Sequence, residues 1–189
     1  MRTVETTVYK YEELSDEAKE KARGWYRDWC LDYEWWDSVY DDAKQIGEIL
    51  GIYIDRINFC GFSSQGDGAC YTGSYSYNKG WKKLLKKYAP LDEELVRIGT
   101  SLQVAQKHIG WTGTARITTS GMYSHSGSML IDDEYCREYW GPIKEALRDF
   151  ADWIYKRLED KWDWLTSDEV VEENITANEY EFNEDGSVY

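Results

Sequence analysis

The sequence predicts a single α+β domain over residues 1–189, with an antiparallel sheet from central hairpins packed against several helices. Two observations lead to this fold class. The middle of the chain contains segments rich in β-branched and aromatic residues, joined by glycine-containing turns, and this pattern is typical of hairpins. Apolar residues recur at helical spacing on both sides of these segments. No internal repeat or linker divides the chain.

The composition indicates a folded protein. Apolar residues make up 42% of the 189 residues and aromatic residues 16%, which is far more than a disordered chain carries. No apolar run approaches the roughly 20 residues that a membrane helix needs, so no membrane contact is predicted. The N-terminus lacks an apolar signal segment, and we therefore expect a cytoplasmic location.

The first fifty residues predict an extended segment and two helices. After a strand or extended segment at Thr3–Tyr11, Ser15 is a good N-cap for a helix, and Gly51 is a stop signal for the second helix. The tryptophans are expected to pack in the core. The two predicted apolar stripes are Ala18, Ala22, Trp25, Tyr26 and Trp29, followed by Trp36, Val39, Ala43, Ile46 and Leu50.

The central segments predict two hairpins separated by two helices. The runs "IYIDRINF" and "ACYTGSYSY" read as strands around a glycine-rich loop, and "GTARITTSGMYSHSGSMLI" reads as a hairpin with a tight turn at Ser120-Gly121. Lys79–Tyr88 is a short helix, and Asp92 opens the next one. Their predicted inward residues are Trp81, Leu84, Leu85 and Tyr88, then Leu91, Leu95, Ile98, Leu102 and Ala105.

The last third predicts two helices and a short strand pair. Asp132 or Asp133 begins a long helical region, and Gly141-Pro142 either kinks it or marks its true start. Ser167 caps a further helix, and the chain ends in two short strands around Asp185-Gly186. The stripe of the long helix is Tyr139, Ile143, Leu147, Phe150, Ile154 and Leu158.

The loop "GFSSQGDG" carries no nucleotide-binding motif, because Asp67 stands where a phosphate-binding loop needs lysine and the following segment is strand-like. Two histidines without carboxylate–histidine spacing give no metal motif, and no cofactor is predicted. If the two hairpins are neighbours, Gln65, Asp67 and His125 could bind a small ligand or act as an acid–base pair. The alternative is a structural histidine bonded to serines.

The four cysteines, Cys30, Cys60, Cys70 and Cys136, show neither a CxxC pair nor metal-ligand spacing. We expect buried free thiols, as is usual in a cytosolic protein. Cys60 and Cys70 could face each other across the glycine-rich loop, but a disulfide there would need an oxidising compartment.

Charge is unevenly distributed along the chain. The net charge is −14; residues 51–130 hold 9 basic and 5 acidic side chains, whereas residues 131–189 hold 6 and 18. Such a field repels phosphate backbones, so direct nucleic-acid binding is not expected, and it attracts a basic protein surface. The lysine face of the short helix could contact phosphates, but a solvated face or an internal counter-surface is the simpler interpretation. That face is formed by Lys82, Lys83, Lys86 and Lys87.

Ten carboxylates near the C-terminus are the candidate partner-binding residues. On a rigid surface they could imitate a duplex backbone and occupy a basic groove; the alternative is a solubilising acidic face. They are Asp160, Asp163, Asp168, Glu169, Glu172, Glu173, Glu179, Glu181, Glu184 and Asp185.

Four segments resemble a family of small acidic bacteriophage and prophage proteins, often labelled uncharacterised or "antitoxin of toxin–antitoxin stability system". They are "YEELSDEAKEKARGWYRD", "GFSSQGDGACYTGS", "SGMYSHSGSM" and "NEYEFNEDGSVY". The resemblance implies no catalytic residues. It implies a phage context, in which such proteins include anti-CRISPR and anti-restriction inhibitors of host defence.

Three functions follow as hypotheses. The first is a non-enzymatic phage-type inhibitor that binds and blocks a host defence protein or nucleoprotein complex, with DNA mimicry by the acidic residues. The second is an antitoxin that neutralises a cognate toxin. The third is a small-ligand-binding or enzymatic domain centred on the glycine-rich loop and His125.

Overall fold

The computed structural model describes residues 2, 5–121, 123–133 and 140–189. These residues confirm an α+β fold with antiparallel sheets. The chain divides into two compact units: unit 1 comprises Met1–Trp35 and Asp160–Tyr189, and unit 2 comprises Trp36–Glu159. The prediction of a single domain over residues 1–189 stays a prediction.

The described residues form six α-helices and six strands. The helices are α1 (Asp16–Trp29), α2 (Asp37–Leu50), α3 (Trp81–Tyr88), α4 (Glu93–His108), α5 (Gly141–Thr166) and α6 (Asp168–Ala177). The strands are β1 (Tyr9–Lys10), β2 (Ile52–Cys60), β3 (Gly68–Ser76), β4 (Thr114–Thr119), β5 (Met129–Asp133) and β6 (Glu181–Phe182).

The helix ends follow the capping residues of the sequence. The backbone amide of Ala18 donates to Ser15 Oγ at 3.3 Å, that of Leu95 to Asp92 Oδ1 at 3.0 Å, and that of Val170 to Ser167 Oγ at 3.5 Å. Each bond satisfies an amide that the first helical turn leaves without a partner. Gly51 ends α2 with a φ of 84°, which glycine adopts without steric cost.

Unit 2 contains a four-stranded antiparallel sheet in the order β2-β3-β4-β5. The residues of the predicted α5 stripe from Ile143 to Leu158 are fully buried. Tyr139, the first residue of that stripe, lies outside the described residues. Tyr71 of β3 packs edge-on against Phe150, and its hydroxyl donates to the carbonyl of Leu147 at 2.9 Å. The apolar face of this sheet therefore packs on α5.

Unit 1 is built from both ends of the chain. β1 pairs antiparallel with β6, with Tyr9 opposite Phe182. Within the described residues, the predicted strand or extended segment at Thr3–Tyr11 forms a strand at Tyr9–Lys10, and Tyr11 begins a 3₁₀ turn. Thr3 and Val4 lie outside the described residues. The predicted C-terminal strand pair is reduced to a single bridge between Phe182 and Val188, with Gly186 in the turn.

Two predicted boundaries differ from those observed. Asp132 and Asp133 belong to β5, residues 134–139 lie outside the described residues, and α5 begins at Gly141, as one of the two alternatives proposed. The second hairpin is confirmed, but Thr119 pairs with Met129, so its connection runs from Ser120 to Ser128 and is not a tight turn. Its last three residues form a 3₁₀ turn.

Several residues predicted to face inward are exposed. Trp29 is 73% exposed at the last turn of α1, and Leu91 is 91% exposed because it precedes α4. On α3, Leu84 is 45% and Tyr88 38% exposed. The inner side of this short helix is formed by Trp81 and Leu85, which are buried. Among the described helices, none combines the length and the apolar character that a membrane span requires.

Candidate functional site: the acidic surface of unit 1

The structure places all ten candidate carboxylates in unit 1. Asp160 and Asp163 lie on the last turns of α5, and four further residues lie on α6. Glu179 follows α6, Glu181 lies on β6, and the last two lie in the turn after β6. The residues on α6 are Asp168, Glu169, Glu172 and Glu173, and those in the turn are Glu184 and Asp185.

Three of the ten carboxylates are bound within unit 1 by basic residues of α1. Glu172 Oε1 accepts from Arg23 Nη1 at 2.5 Å and from the Tyr11 hydroxyl at 2.9 Å. Asp168 pairs with Arg27, and Asp185 Oδ2 accepts from Lys21 Nζ at 2.6 Å. These carboxylates hold α6 and the terminal turn onto α1, so they are not free for a partner.

Six other carboxylates remain available, and we call them the acidic surface. Each belongs to an exposed residue, and no ion pair or hydrogen bond from its carboxylate occurs within the described part of the chain. They are Asp163, Glu169, Glu173, Glu179, Glu181 and Glu184. Glu169 and Glu173 are four residues apart on α6 and therefore lie on one side of that helix.

A cleft of about 570 Å³ opens beside α6. Its walls include Tyr11 and the acidic residues Glu12, Glu169 and Glu173, and among the described residues that line it Lys19 is the basic one. Burial, together with the hydrogen bond to Glu172, raises the pKa of Tyr11 to about 12, so this tyrosine is a neutral hydrogen-bond donor at physiological pH. The cleft therefore presents mainly negative charge.

The glycine-rich loop uses Asp67 for its own conformation. Asp67 Oδ2 accepts from the backbone amides of Ser63 at 2.9 Å and Ser64 at 2.7 Å. A side chain at Gly61 would collide with this carboxylate, since its Cβ would lie 2.5 Å from Asp67 Oδ2. Gln65 is exposed at the tip of the loop. Asp67 is thus a cap for backbone amides.

His125 and Asp67 do not form the predicted pair. Within the described residues no hydrogen bond joins them, and His125 lies in the connection between β4 and β5, not on a strand. The carboxylate whose pKa responds to His125 is Asp152 of α5: burial raises that pKa, and both the Ser126 hydroxyl and His125 oppose the shift. Asp152 gave no signal in the sequence, because it lies off the apolar stripe of α5.

The described cysteines, Cys30, Cys60 and Cys70, are free thiols, as predicted, but only Cys70 is fully buried. Cys70 lies opposite Asn58 and Cys60 lies opposite Gly68, so the two are diagonal neighbours on the ladder. Diagonal positions are about 7–8 Å apart, which is too far for an unstrained disulfide. Cys136 lies outside the described residues, and no group of metal-binding side chains occurs within them.

The predicted lysine face is confirmed as an exposed face of α3. Its four members are exposed, and none forms an ion pair within the residues that the structure describes. They are Lys82, Lys83, Lys86 and Lys87. They belong to unit 2, whereas the acidic surface belongs to unit 1.

Comparison with known proteins identifies one family. The family described as "Domain of unknown function (DUF8835)" matches residues 35–168. No curated protein and no solved structure matches the chain significantly. The matched range covers unit 2 and ends before seven of the ten candidate carboxylates, those from Glu169 onward. Because the match covers well over half of the 189 residues, the chain belongs to the DUF8835 family.

Proposed function

We propose that this chain is a non-enzymatic protein that binds a partner through the acidic surface of unit 1 and blocks it. The partner is a protein with a basic surface that ordinarily holds nucleic acid. The resemblance to phage proteins suggests a host defence protein or nucleoprotein complex, of the kind that anti-CRISPR and anti-restriction inhibitors block. The observation that carries the proposal is the set of six exposed carboxylates without a partner in the described residues.

The carboxylates are presented on regular structure. Glu169 and Glu173 stand on one side of α6, and residues at this spacing have Cβ atoms about 5–6 Å apart. Ion pairs from Arg23 and Arg27 hold α6 in place on α1. A fixed array of negative charge pays less conformational entropy on binding than a mobile one. It therefore suits a groove built for phosphates.

The distribution of charge also favours this surface. Unit 1 carries 7 basic and 19 acidic side chains, whereas unit 2 carries 15 and 17. The unit charges are thus about −12 and −2. A concentrated field of one sign steers an oppositely charged partner toward the side that bears it and disfavours nucleic acid as a direct ligand.

Charge reversal tests the proposal. We expect Glu169→Lys/Glu173→Lys to lower inhibition of the target nuclease complex at least about tenfold, because it replaces two attractive charges with repulsive ones. The assay is cleavage of a DNA substrate by purified CRISPR effectors and restriction enzymes with increasing inhibitor. Glu172 is left unchanged, since its reversal would disrupt the contact with Arg23.

A matched control distinguishes the effect of charge on the acidic surface from the effect of the net charge of the chain. Asp41→Lys/Glu145→Lys reverses two exposed helical acids of unit 2 and makes the same change in net charge. It is expected to leave inhibition within about twofold of the wild type. Circular dichroism and urea unfolding verify that both variants fold. Full inhibition by the Glu169→Lys/Glu173→Lys variant would contradict the proposal.

The antitoxin function uses the same acidic surface and differs in its target. It requires a toxin encoded in an adjacent reading frame, and it predicts that the purified chain restores growth of cells that express this toxin. The antitoxin function would replace the inhibitor function if the wild-type chain restores growth, the Glu169→Lys/Glu173→Lys variant does not, and neither protein inhibits defence nucleases.

A further inference from the structure

The lysine face of α3 consists of two adjoining strips. A helix turns about 100° per residue, so Lys83 and Lys87 lie on one side of the outer face and Lys82 and Lys86 on the other. The strip of Lys83 and Lys87 adjoins Leu84, which is 45% exposed. Basic and apolar groups therefore meet along one edge of this helix only.

A cleft lies along that same edge. Its volume is about 440 Å³, and α2 supplies one wall and α3 the other. The lining residues are Gln45, Glu48 and Ile49 from α2, and Leu84, Lys87 and Tyr88 from α3. The cleft thus combines the apolar side chains of Ile49 and Leu84 with a lysine at its rim.

The walls of this cleft are held firmly. The Tyr88 hydroxyl lies 2.6 Å from Asp42 Oδ1 and 2.7 Å from Gln45 Oε1, which ties the end of α3 to α2. At the other end of α3, Trp81 packs so closely on α4 that a Cβ at Gly99 would lie 2.4 Å from its ring. A preformed cleft between fixed helices suits a ligand that fills it without rearrangement.

The geometry points to a second binding surface, formed by α2 and α3, that takes a short acidic amphipathic segment of a partner protein. An apolar side chain of that segment enters the cleft between Ile49 and Leu84, and its carboxylates pair with Lys83 and Lys87. This is the helix-in-groove mode of peptide recognition. This second surface lies in unit 2 and binds through positive charge, whereas the acidic surface lies in unit 1 and is negative.

The cleft favours a peptide over nucleic acid. Glu48 lines it, and Asp42 stands beside Tyr88, so phosphates entering the cleft would meet carboxylates. A peptide can carry its acids on one side alone, whereas a nucleic-acid strand carries a phosphate at every nucleotide. The whole chain also carries a net charge of −14, which disfavours a strand with a phosphate at every nucleotide.

Fluorescence polarisation tests this inference on the full chain. The probes are labelled peptides of about twelve residues, made of the helix-forming residues Glu and Ala with one central Leu, Phe or Trp. We expect at least one to bind, with affinity lost on replacing its central residue by Ser. Lys83→Glu/Lys87→Glu should weaken this binding at least about tenfold.

The other strip of the same helix supplies the control. Lys82→Glu/Lys86→Glu makes an identical change in net charge on α3 and is expected to weaken binding by less than about threefold. Leu84→Ser should abolish the preference for the apolar peptide over its Ser counterpart. Because the acidic surface is unchanged in these variants, inhibition of the nuclease target reports on it separately.

Several outcomes would overturn the inference. They are absence of binding by every peptide, equal loss of binding from both lysine pairs, or tighter binding of a DNA duplex or of anionic phospholipid vesicles than of any peptide. Concentration-dependent self-association in sedimentation that Lys83→Glu/Lys87→Glu abolishes would assign the surface to a second copy of the chain instead.

Discussion

At the scale of single residues, the glycine-rich loop shows how a motif-like segment can stabilise its own conformation. Gly66 has a φ of 101°, a conformation that glycine adopts without steric cost. Gly68 is required for space, because a Cβ there would lie 2.7 Å from the Cβ of His125. Asp67 caps backbone amides. Gly66, Asp67 and Gly68 thus each have a local structural role.

Tyr71 gives a prediction at this scale. Burial raises its pKa well above the usual value, whereas in the unfolded chain it ionises near about 10. The neutral form therefore stabilises the fold fully below about pH 10, and this contribution is lost as pH rises toward the raised pKa. Tyr71→Phe should make the free energy of unfolding fall less steeply above about pH 10, by up to about 1.4 kcal/mol per pH unit.

Urea unfolding at a series of pH values measures this slope. At neutral pH we expect Tyr71→Phe to lower the free energy of unfolding by about 1 kcal/mol, because the Leu147 carbonyl loses its donor. The two effects have opposite signs at alkaline pH. An unchanged slope for Tyr71→Phe would show that this hydroxyl does not stay neutral in the folded protein.

At the scale of elements, the starts of helices were easier to predict from the sequence than the connection between β4 and β5. Ser15, Asp92 and Ser167 cap the helices that they were predicted to begin, because capping is local chemistry between residues three positions apart. The prediction of a tight turn between β4 and β5 was wrong, although the pair Ser120-Gly121 is typical of such turns. The pairing of Thr119 with Met129 decides the length of this connection, and that pairing depends on distant strands.

Asp92 gives the prediction for an element. Oδ1 caps α4, and Oδ2 accepts from the indole nitrogen of Trp153 at 2.9 Å. Asp92→Ala removes the cap and leaves a largely buried indole N–H without its acceptor. We expect a loss of about 2–3 kcal/mol in the free energy of unfolding, against about 1 kcal/mol for Ser15→Ala, which removes a cap alone.

Chemical denaturation of the two variants side by side measures the difference. Asp92→Asn serves as the control, since its amide oxygen retains one acceptor, and we expect an intermediate loss. Equal losses for Asp92→Ala and Ser15→Ala would mean that the bond to Trp153 contributes nothing to stability.

At the scale of the whole molecule, charge and family membership divide the chain at similar places. The DUF8835 match covers unit 2, with its nearly neutral total charge, whereas most of the negative charge lies in unit 1. The proposed inhibitory surface therefore lies largely beyond the matched range. The proposed peptide site on α2 and α3 lies within it.

The charge of unit 1 predicts salt-dependent association. If partner binding relies on the acidic surface, raising ionic strength from about 0.05 M to about 0.5 M should slow association at least about tenfold and change dissociation little. Biosensor kinetics with the captured target measure both rates. The Glu169→Lys/Glu173→Lys variant should show a weaker dependence of its association rate on salt, and an equal dependence would locate the steering charges elsewhere.

The sequence by itself determined the α+β class, most helix and strand positions and the uneven distribution of charge. These properties depend on neighbours along the chain: capping residues, helical and strand periodicity, and counts of charged side chains. The buried stripe of α5 from Ile143 to Leu158 was predictable for the same reason.

Only the tertiary structure decided which of the charged residues are available. It pairs Asp168, Glu172 and Asp185 with bases of α1 that lie more than 140 residues away along the chain, and leaves Glu169 and Glu173 exposed. It also shows Asp67 accepting from the backbone amides of Ser63 and Ser64, with no hydrogen bond to His125 within the described residues. The physical reason is that a carboxylate bonds to whatever donor the fold brings within about 3 Å, and sequence patterns do not encode such long-range proximity.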